Sequence, residues 1–254
     1  MLDAEAQMIK ICEFMRQCVQ NAHAKGVVIA ISGGIDSAVV ATLAVKALGR
    51  KRVTGLLMFE NEDRNSVDFT DARELISQLG IVSYDISFSD IFRAFKTTLR
   101  NYKLSKTSLG NIKARVRMTV NYAFANSRNL LVAGTGDKSE ESIGYFTKYG
   151  DGGVDFQPIA HLYKTEVRSL ALHLGIPNRI VSKPSSPHLW KGHLATDEIP
   201  LDYPILDEVL RLLYDQGQEA NEVSKTLKIP LRVVDRVTKM HETSDHKRKV
   251  PPIL

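Results

Sequence analysis

Residues 27–45 read VVIAISGGIDSAVVATLAV: an apolar run over 27–31, a Ser32-Gly33-Gly34 turn, and a helix-forming run that continues over 37–48. Unbroken Val and Ile suit a strand covered on both faces. The two glycines admit positive φ and let a backbone approach a ligand without a Cβ. Successive N–H groups then converge on an anion at the helix N-terminus. Ser32 and Ser37 add hydroxyl donors. Asp36 is the unusual member, because a carboxylate in a phosphate cradle is repulsive unless a cation such as Mg²⁺ lies between them. The run lacks the Lys of GxxxxGK[ST] and the spacing of GxGxxG. A plain turn needs one Gly and a cap, not two Gly, two Ser and an embedded Asp.

Outward from this stretch, further strands are expected over 53–58, 81–86 and 130–133, and helices over 4–23, 66–79, 89–102 and 107–128. Ser66 is the expected N-cap and Gly80 the stop of the 66–79 helix. The 107–128 helix shows one stripe of Leu109, Ile112, Val116, Thr119, Val120 and Ala123, with a basic opposite face. Three strands alternating with helices, then a long helical excursion before a fourth, predict an α/β doubly wound parallel sheet of order 3-2-1-4, with room for a fifth strand, flanked by helices. The switch point then lies between the first and fourth strands, where ligands bind in open sheets. Both Gly loops, 32–34 and Gly134-Thr135-Gly136, sit there. The acidic loop 60–64 reads as a solvated turn. Beyond residue 200 the pattern is helical over 204–214, 218–227 and 231–241, followed by a basic tail from about residue 243.

Length and composition fit a single domain over 1–254 with ample core, 43% hydrophobic and 25% charged. The net charge of +5 suits anionic ligands such as nucleotides. With 34 basic against 29 acidic residues it is no nucleic-acid signature. No apolar stretch approaches the ~20 residues that span a bilayer, so no membrane partner is expected and the location is cytoplasmic by default. Cys12 and Cys18 lie on one predicted helix with side chains about 120° apart, which suits neither a shared metal nor a disulfide.

SGGIDS directly after an apolar strand resembles the phosphate loop of the N-type ATP pyrophosphatases. The resemblance sharpens downstream. GTGDKSE from Gly134, GYFTKYGDGGVD from Gly144, LYKTEVR from Leu162, NIKARVRM over 111–118 and SDHKRKVPP near the C-terminus are together similar to the ammonia-dependent NAD synthetases, in that family's order. It implies an adenine nucleotide alpha hydrolase-like fold, a homodimer, and ATP-dependent amidation of deamido-NAD by ammonia. The nicotinate carboxylate would attack the α-phosphorus of ATP, releasing pyrophosphate, and ammonia would displace AMP from the acyl adenylate.

Carried over residue by residue, the family's ATP contacts fall on Ile31, Ser32, Gly33, Gly34, Ile35, Asp36, Ser37, Thr135, Lys164 and Ser186, with Ser185 the alternative to Ser186. Asp36 and Glu140 are the implied Mg²⁺ ligands, hard oxygens suited to an ATP-bound cation. Arg115, Lys148, Asp155, His246 and Lys247 match the deamido-NAD positions. Two cations suit a pyrophosphate and a carboxylate, and Asp155 suits ribose hydroxyls. Phe146 and Tyr149 either stack on a ring or pack in the core. Residues 183–195 are aperiodic and read as a loop that orders over bound nucleotide. The basic tail is expected to order only against an anionic ligand. No side-chain nucleophile is implied.

Two other classes share the first loop. A sulfur-transferring or RNA-modifying pyrophosphatase needs reactive cysteines or an added basic domain, and neither is visible. A non-catalytic nucleotide sensor leaves GTGDKSE and KYGDGGVD without a purpose.

Overall fold

The computed structural model describes residues 2–190 and 192–254. Helix α1 (Ala4–Asn21) leads into β1 (Gly26–Ala30), α2 (Ile35–Leu48), β2 (Val53–Phe59), α3 (Val67–Leu79) and β3 (Val82–Ser87). Helices α4 (Ser89–Thr98) and α5 (Lys106–Arg128) form the excursion before β4 (Leu130–Val132). The four strands make one all-parallel sheet of order β3-β2-β1-β4. The expected order holds, and the fifth strand is reduced to one isolated parallel bridge between Ala133 and Phe156.

Strand β1 is buried on both faces, as its unbroken apolar run predicts. Val27 and Ile29 face a core shared with α1, α2, α3 and α7 (Lys164–His173), while Val28 packs with Leu56, Val132 and Ala125 of α5. This alternation is the period of two on a covered strand. Ser66 caps α3 by accepting the Phe69 N–H at 3.2 Å, and Gly80 ends it in the left-handed region.

The stripe read along α5 is only half right. Leu109, Ile112 and Val116 pack toward α4 and Val120 toward the sheet, but Thr119 and Ala123 are exposed. The reason is that α5 buries a second line, the polar Lys113 and Asn121 together with the apolar Ala125.

After β4, helices α6 (Lys138–Ile143), α7 and α8 (Asn178–Val181) precede α9 (Tyr203–Leu210), α10 (Ala220–Leu227), α11 (Leu231–Thr243) and α12 (Asp245–Arg248). Ile143, Tyr163, Leu206, Val209, Val223, Val234 and Val237 form a separate apolar cluster that holds α9 to α11 against α6.

The tail departs from expectation. Residues 245–248 are helical and docked: Ser244 is buried, and Lys247 donates to the Gly144 and Phe146 carbonyls at 2.7 and 2.8 Å. Arg248 donates to the carbonyls of His241 and Glu141 at 2.6 and 3.1 Å. These carbonyls lie at the ends of α6 and α11 and in the turn after α6, so the tail orders against the protein itself rather than awaiting a ligand. Gly144 (φ +64°) makes the approach possible, since a Cβ there would lie 2.1 Å from the Ser244 Cβ.

Candidate active site

The Gly loop closes on itself. Ser37 Oγ donates to the Gly34 carbonyl at 3.0 Å, and Ser32 Oγ accepts the Gly34 N–H at 3.2 Å. Gly33 adopts φ +80°, and a Cβ on it would sit 2.1 Å from the Asp68 carbonyl oxygen, so only glycine fits. Gly34 caps the 14-residue α2 without a side-chain hydrogen bond. The first N–H groups of that helix are therefore available to an anion. Ile31 and Ile35 bury their side chains in the core while their backbone borders the loop.

Beside the loop lies a carboxylate cage. One oxygen each of Asp36, Asp137 and Glu140 lies within 4.8 Å of the other two. Lys164 Nζ sits among them, 2.8 Å from Asp36 Oδ2, 2.6 Å from Asp137 Oδ2 and 3.0 Å from Glu140 Oε1. Asp137 also caps α6, accepting the Glu140 N–H at 2.8 Å. Sequence reasoning missed Asp137, whose position reads as an ordinary helix cap. Lys164, implied as an ATP contact, has no exposed side-chain surface and pairs with Asp36, Asp137 and Glu140.

Burial pushes the Asp137 and Glu140 carboxyls up, with neighbouring carboxylates adding to the rise and Lys164 opposing it. Burial disfavours the Lys164 ammonium, but the three carboxylates outweigh it and hold the amine well above its ordinary value. Three carboxylates against one ammonium leave a formal −2 when all are ionised. Asp36 Oδ1 is buried with no hydrogen-bond partner among the described residues. A divalent cation with hard-oxygen preference fits this charge and donor set.

The loop and cage open on one cavity of about 670 Å³. Its wall runs from Ser32 and 34–37 and the ends of β1 and β2, past Thr135 and Glu140, to 183–189, 192–195, Glu198 and Lys247. The volume suits a nucleotide-sized ligand. Most of the 183–195 loop lines the cavity; Lys191 within it falls outside the described residues. Lys183 ties the base of that loop to the phosphate loop, donating to the Gly33 carbonyl at 3.0 Å and pairing with Asp68 and Asp71 at 2.5 and 2.6 Å. Ser186 Oγ donates to the His193 carbonyl and accepts the His188 N–H at 3.1 Å, so it is committed to the turn. Ser185 also lines the cavity, and its hydroxyl makes no hydrogen bond among the described residues. Arg117 is a cation on the cavity wall that the sequence reading passed over. Its guanidinium stacks on Phe88, and burial lowers its pKa.

The remaining predicted residues divide. Lys247 and Phe146 line the cavity. Arg115, Lys148 and His246 form a string outside it: Arg115 donates to the Lys148 carbonyl at 3.2 Å, and Lys148 Nζ to the His246 carbonyl at 2.5 Å. Tyr149 is exposed beside them. Asp155 was expected to await hydroxyls, but both its oxygens are engaged, by Tyr122 Oη at 3.0 Å and by the Val132 N–H at 2.7 Å.

A family profile described as NAD synthase matches residues 7–251. An NH(3)-dependent NAD(+) synthetase of Hyperthermus butylicus is 45% identical over 251 residues, 99% of this chain and 91% of that protein. An NMN synthetase from Francisella tularensis superposes with a TM-score of 0.88 at 33% identity, covering 100% of this chain and 99% of the other. An NH3-dependent NAD synthetase from Campylobacter jejuni gives 0.85 at 31% identity, covering both chains fully.

Proposed function

The chain belongs to the NAD synthase family and catalyses ammonia-dependent NAD synthesis, and on that premise we propose how its residues divide the work. The carboxylate of deamido-NAD attacks the α-phosphorus of ATP, pyrophosphate leaves, and ammonia then displaces AMP from the acyl adenylate. A bare carboxylate is too poor an electrophile for ammonia, and adenylation supplies the leaving group.

The observation that supports the assignment is the sharing of one cavity by the Gly loop at the N-terminus of α2 and the Asp36–Glu140 pair. The loop N–H groups and the Ser32 and Ser37 hydroxyls receive the ATP phosphates, with Thr135 and Ser185 or Ser186 at the nucleotide. Asp36 and Glu140 would hold Mg²⁺, with Asp137 behind them, and the ion would neutralise charge developing on pyrophosphate. Lys164 holds the three carboxylates in place and offsets their repulsion. Arg117 and Lys247 are cations for the anionic portions of the two substrates. Burial pushes the Cys12 and Cys18 thiols up, the reverse of an activated nucleophile, consistent with ammonia as the direct nitrogen source.

A homodimer through the exposed face of α5 accounts for Arg115, Thr119 and Ala123 on its surface, and would bring a second chain close to the Arg115–Lys148–His246 string that we assign to deamido-NAD. Asp155 contributes there by orienting Tyr122. No described helix is long and apolar enough to cross a membrane.

Exchange of labelled pyrophosphate into ATP tests the reading. It should require deamido-NAD and Mg²⁺ and proceed without ammonia. Nicotinate mononucleotide belongs in the same assay, because one structural relative is an NMN synthetase. Exchange without any acid, or none with either acid, would contradict the reading.

A further inference from the structure

We propose that Glu198, held by His193 and Tyr145, is a receiving site for the ammonium ion on the cavity wall. The inference rests on the reading that the acyl adenylate forms in this cavity. All three residues line it. Glu198 Oε2 takes two hydrogen bonds, from Tyr145 Oη at 3.1 Å and from His193 Nε2 at 2.9 Å. Oε1 takes none, and the side chain is 39% exposed. Both supports therefore grip one oxygen and leave the other toward open space.

The support is built, not incidental. The His193 side chain has no exposed surface, its ring stacks on Trp190 at 3.5 Å, and its Nδ1 is buried without a partner among the described residues. Since a carboxylate only accepts, Nε2 carries the proton in this contact. The imidazole N–H and the Tyr hydroxyl orient the carboxylate through one oxygen. The Arg236 guanidinium fixes the Glu198 carbonyl at 2.8 Å, and Lys106 lies over Trp190 at 4.3 Å from the ring centre. Asp197 accepts the Leu194 N–H at 3.0 Å, and Lys247 stands near enough to feel the Glu198 charge while donating to carbonyls. Tyr145 in turn feels the Glu140 charge. Glu198 and Glu140 line the same cavity.

A small cation with several N–H donors matches one free carboxylate oxygen on such a wall, because a charge-assisted N–H···O bond recognises it without a preformed metal geometry. At neutral pH the nitrogen source in solution is ammonium, not ammonia. Glu198 would concentrate that cation beside the acyl adenylate, and loss of a proton to the medium would then free the nucleophile.

The test compares a cationic nitrogen source with a neutral one. Glu198→Gln should raise the KM for ammonium at neutral pH by roughly ten- to a hundredfold, the loss of one hydrogen bond to a charged group. Turnover with hydroxylamine, which is neutral at that pH, and pyrophosphate exchange should stay near the unsubstituted protein. The gap should narrow as alkaline pH converts ammonium to ammonia. His193→Gln and Tyr145→Phe, as positioning changes, should show the same split to a smaller extent, and Tyr145→Phe serves alone if Glu198→Gln fails to fold. An unchanged ammonium KM, or equal loss with both nucleophiles, would overturn the ammonium site while intact exchange left the adenylation reading standing. Absence of exchange in the unsubstituted protein would instead remove that reading.

Discussion

Lys164 Nζ lies 2.6 Å from Asp137 Oδ2, and neither side chain has any exposed surface. A buried ammonium of this kind persists because Asp36 and Glu140 complete its surroundings. Removing one partner of a buried pair leaves uncompensated charge, at a cost of about 3–5 kcal/mol. Lys164→Met should therefore lower the unfolding free energy in urea by that order. Added Mg²⁺ should restore part of it, because three carboxylates with no internal cation bind a divalent ion more tightly. A variant as stable as the parent without Mg²⁺ would show that the cage is not held by Lys164.

Asp36→Asn and Glu140→Gln keep size and lose charge. Each should slow pyrophosphate exchange by about 10²–10³-fold, the effect of losing one electrostatic group on a reacting centre. Circular dichroism should show the fold intact, since both side chains are partly open to the cavity. Unchanged exchange in either variant would take that residue out of the site.

The C-terminal tail should matter to stability as well as to substrate. Arg248 binds carbonyls at the ends of α11 and α6, so Arg248→Ala should cost about 2 kcal/mol, as for hydrogen bonds to a charged donor. Truncation after Thr243 should lower the melting temperature. Truncation after Lys249 removes only exposed residues and should leave it unchanged. Equal melting of all three forms would show that the tail contributes nothing to the fold.

Acid sensitivity should centre partly on Asp71. Burial raises its carboxyl, but Lys183 and Arg179 outweigh burial and hold it below the usual range. A depressed folded value contributes stability that is present above about pH 4, the unfolded Asp value, and is lost as pH falls through the lower folded value. Asp71→Asn should flatten the acid limb of a melting-temperature profile and leave its shape at neutral pH alone. An identical acid limb would dissociate Asp71 from it.

What was legible in the sequence follows from range. SGGIDS could be read because strand, turn and helix are adjacent and the two glycines have a local cause. The 3-2-1-4 order followed from the long α4–α5 excursion. Asp137 was not legible: its cap on Glu140 is local, but its burial depends on Lys164, far along the chain. The 119–123 portion of α5 was misread because apolar spacing cannot show that Lys113 and Asn121 are also buried. The tail has no periodicity, and its partners are backbone carbonyls, several of them about a hundred residues earlier in the chain. The His193–Glu198 pair is formed by a loop whose sequence carries no repeat.

The most direct measurement is a product balance with ATP, Mg²⁺, deamido-NAD and ammonium. The account predicts NAD, AMP and pyrophosphate in equal amounts, with none of the three when ATP is withheld. NAD accompanied by ADP and inorganic phosphate, or formed without pyrophosphate, would contradict it.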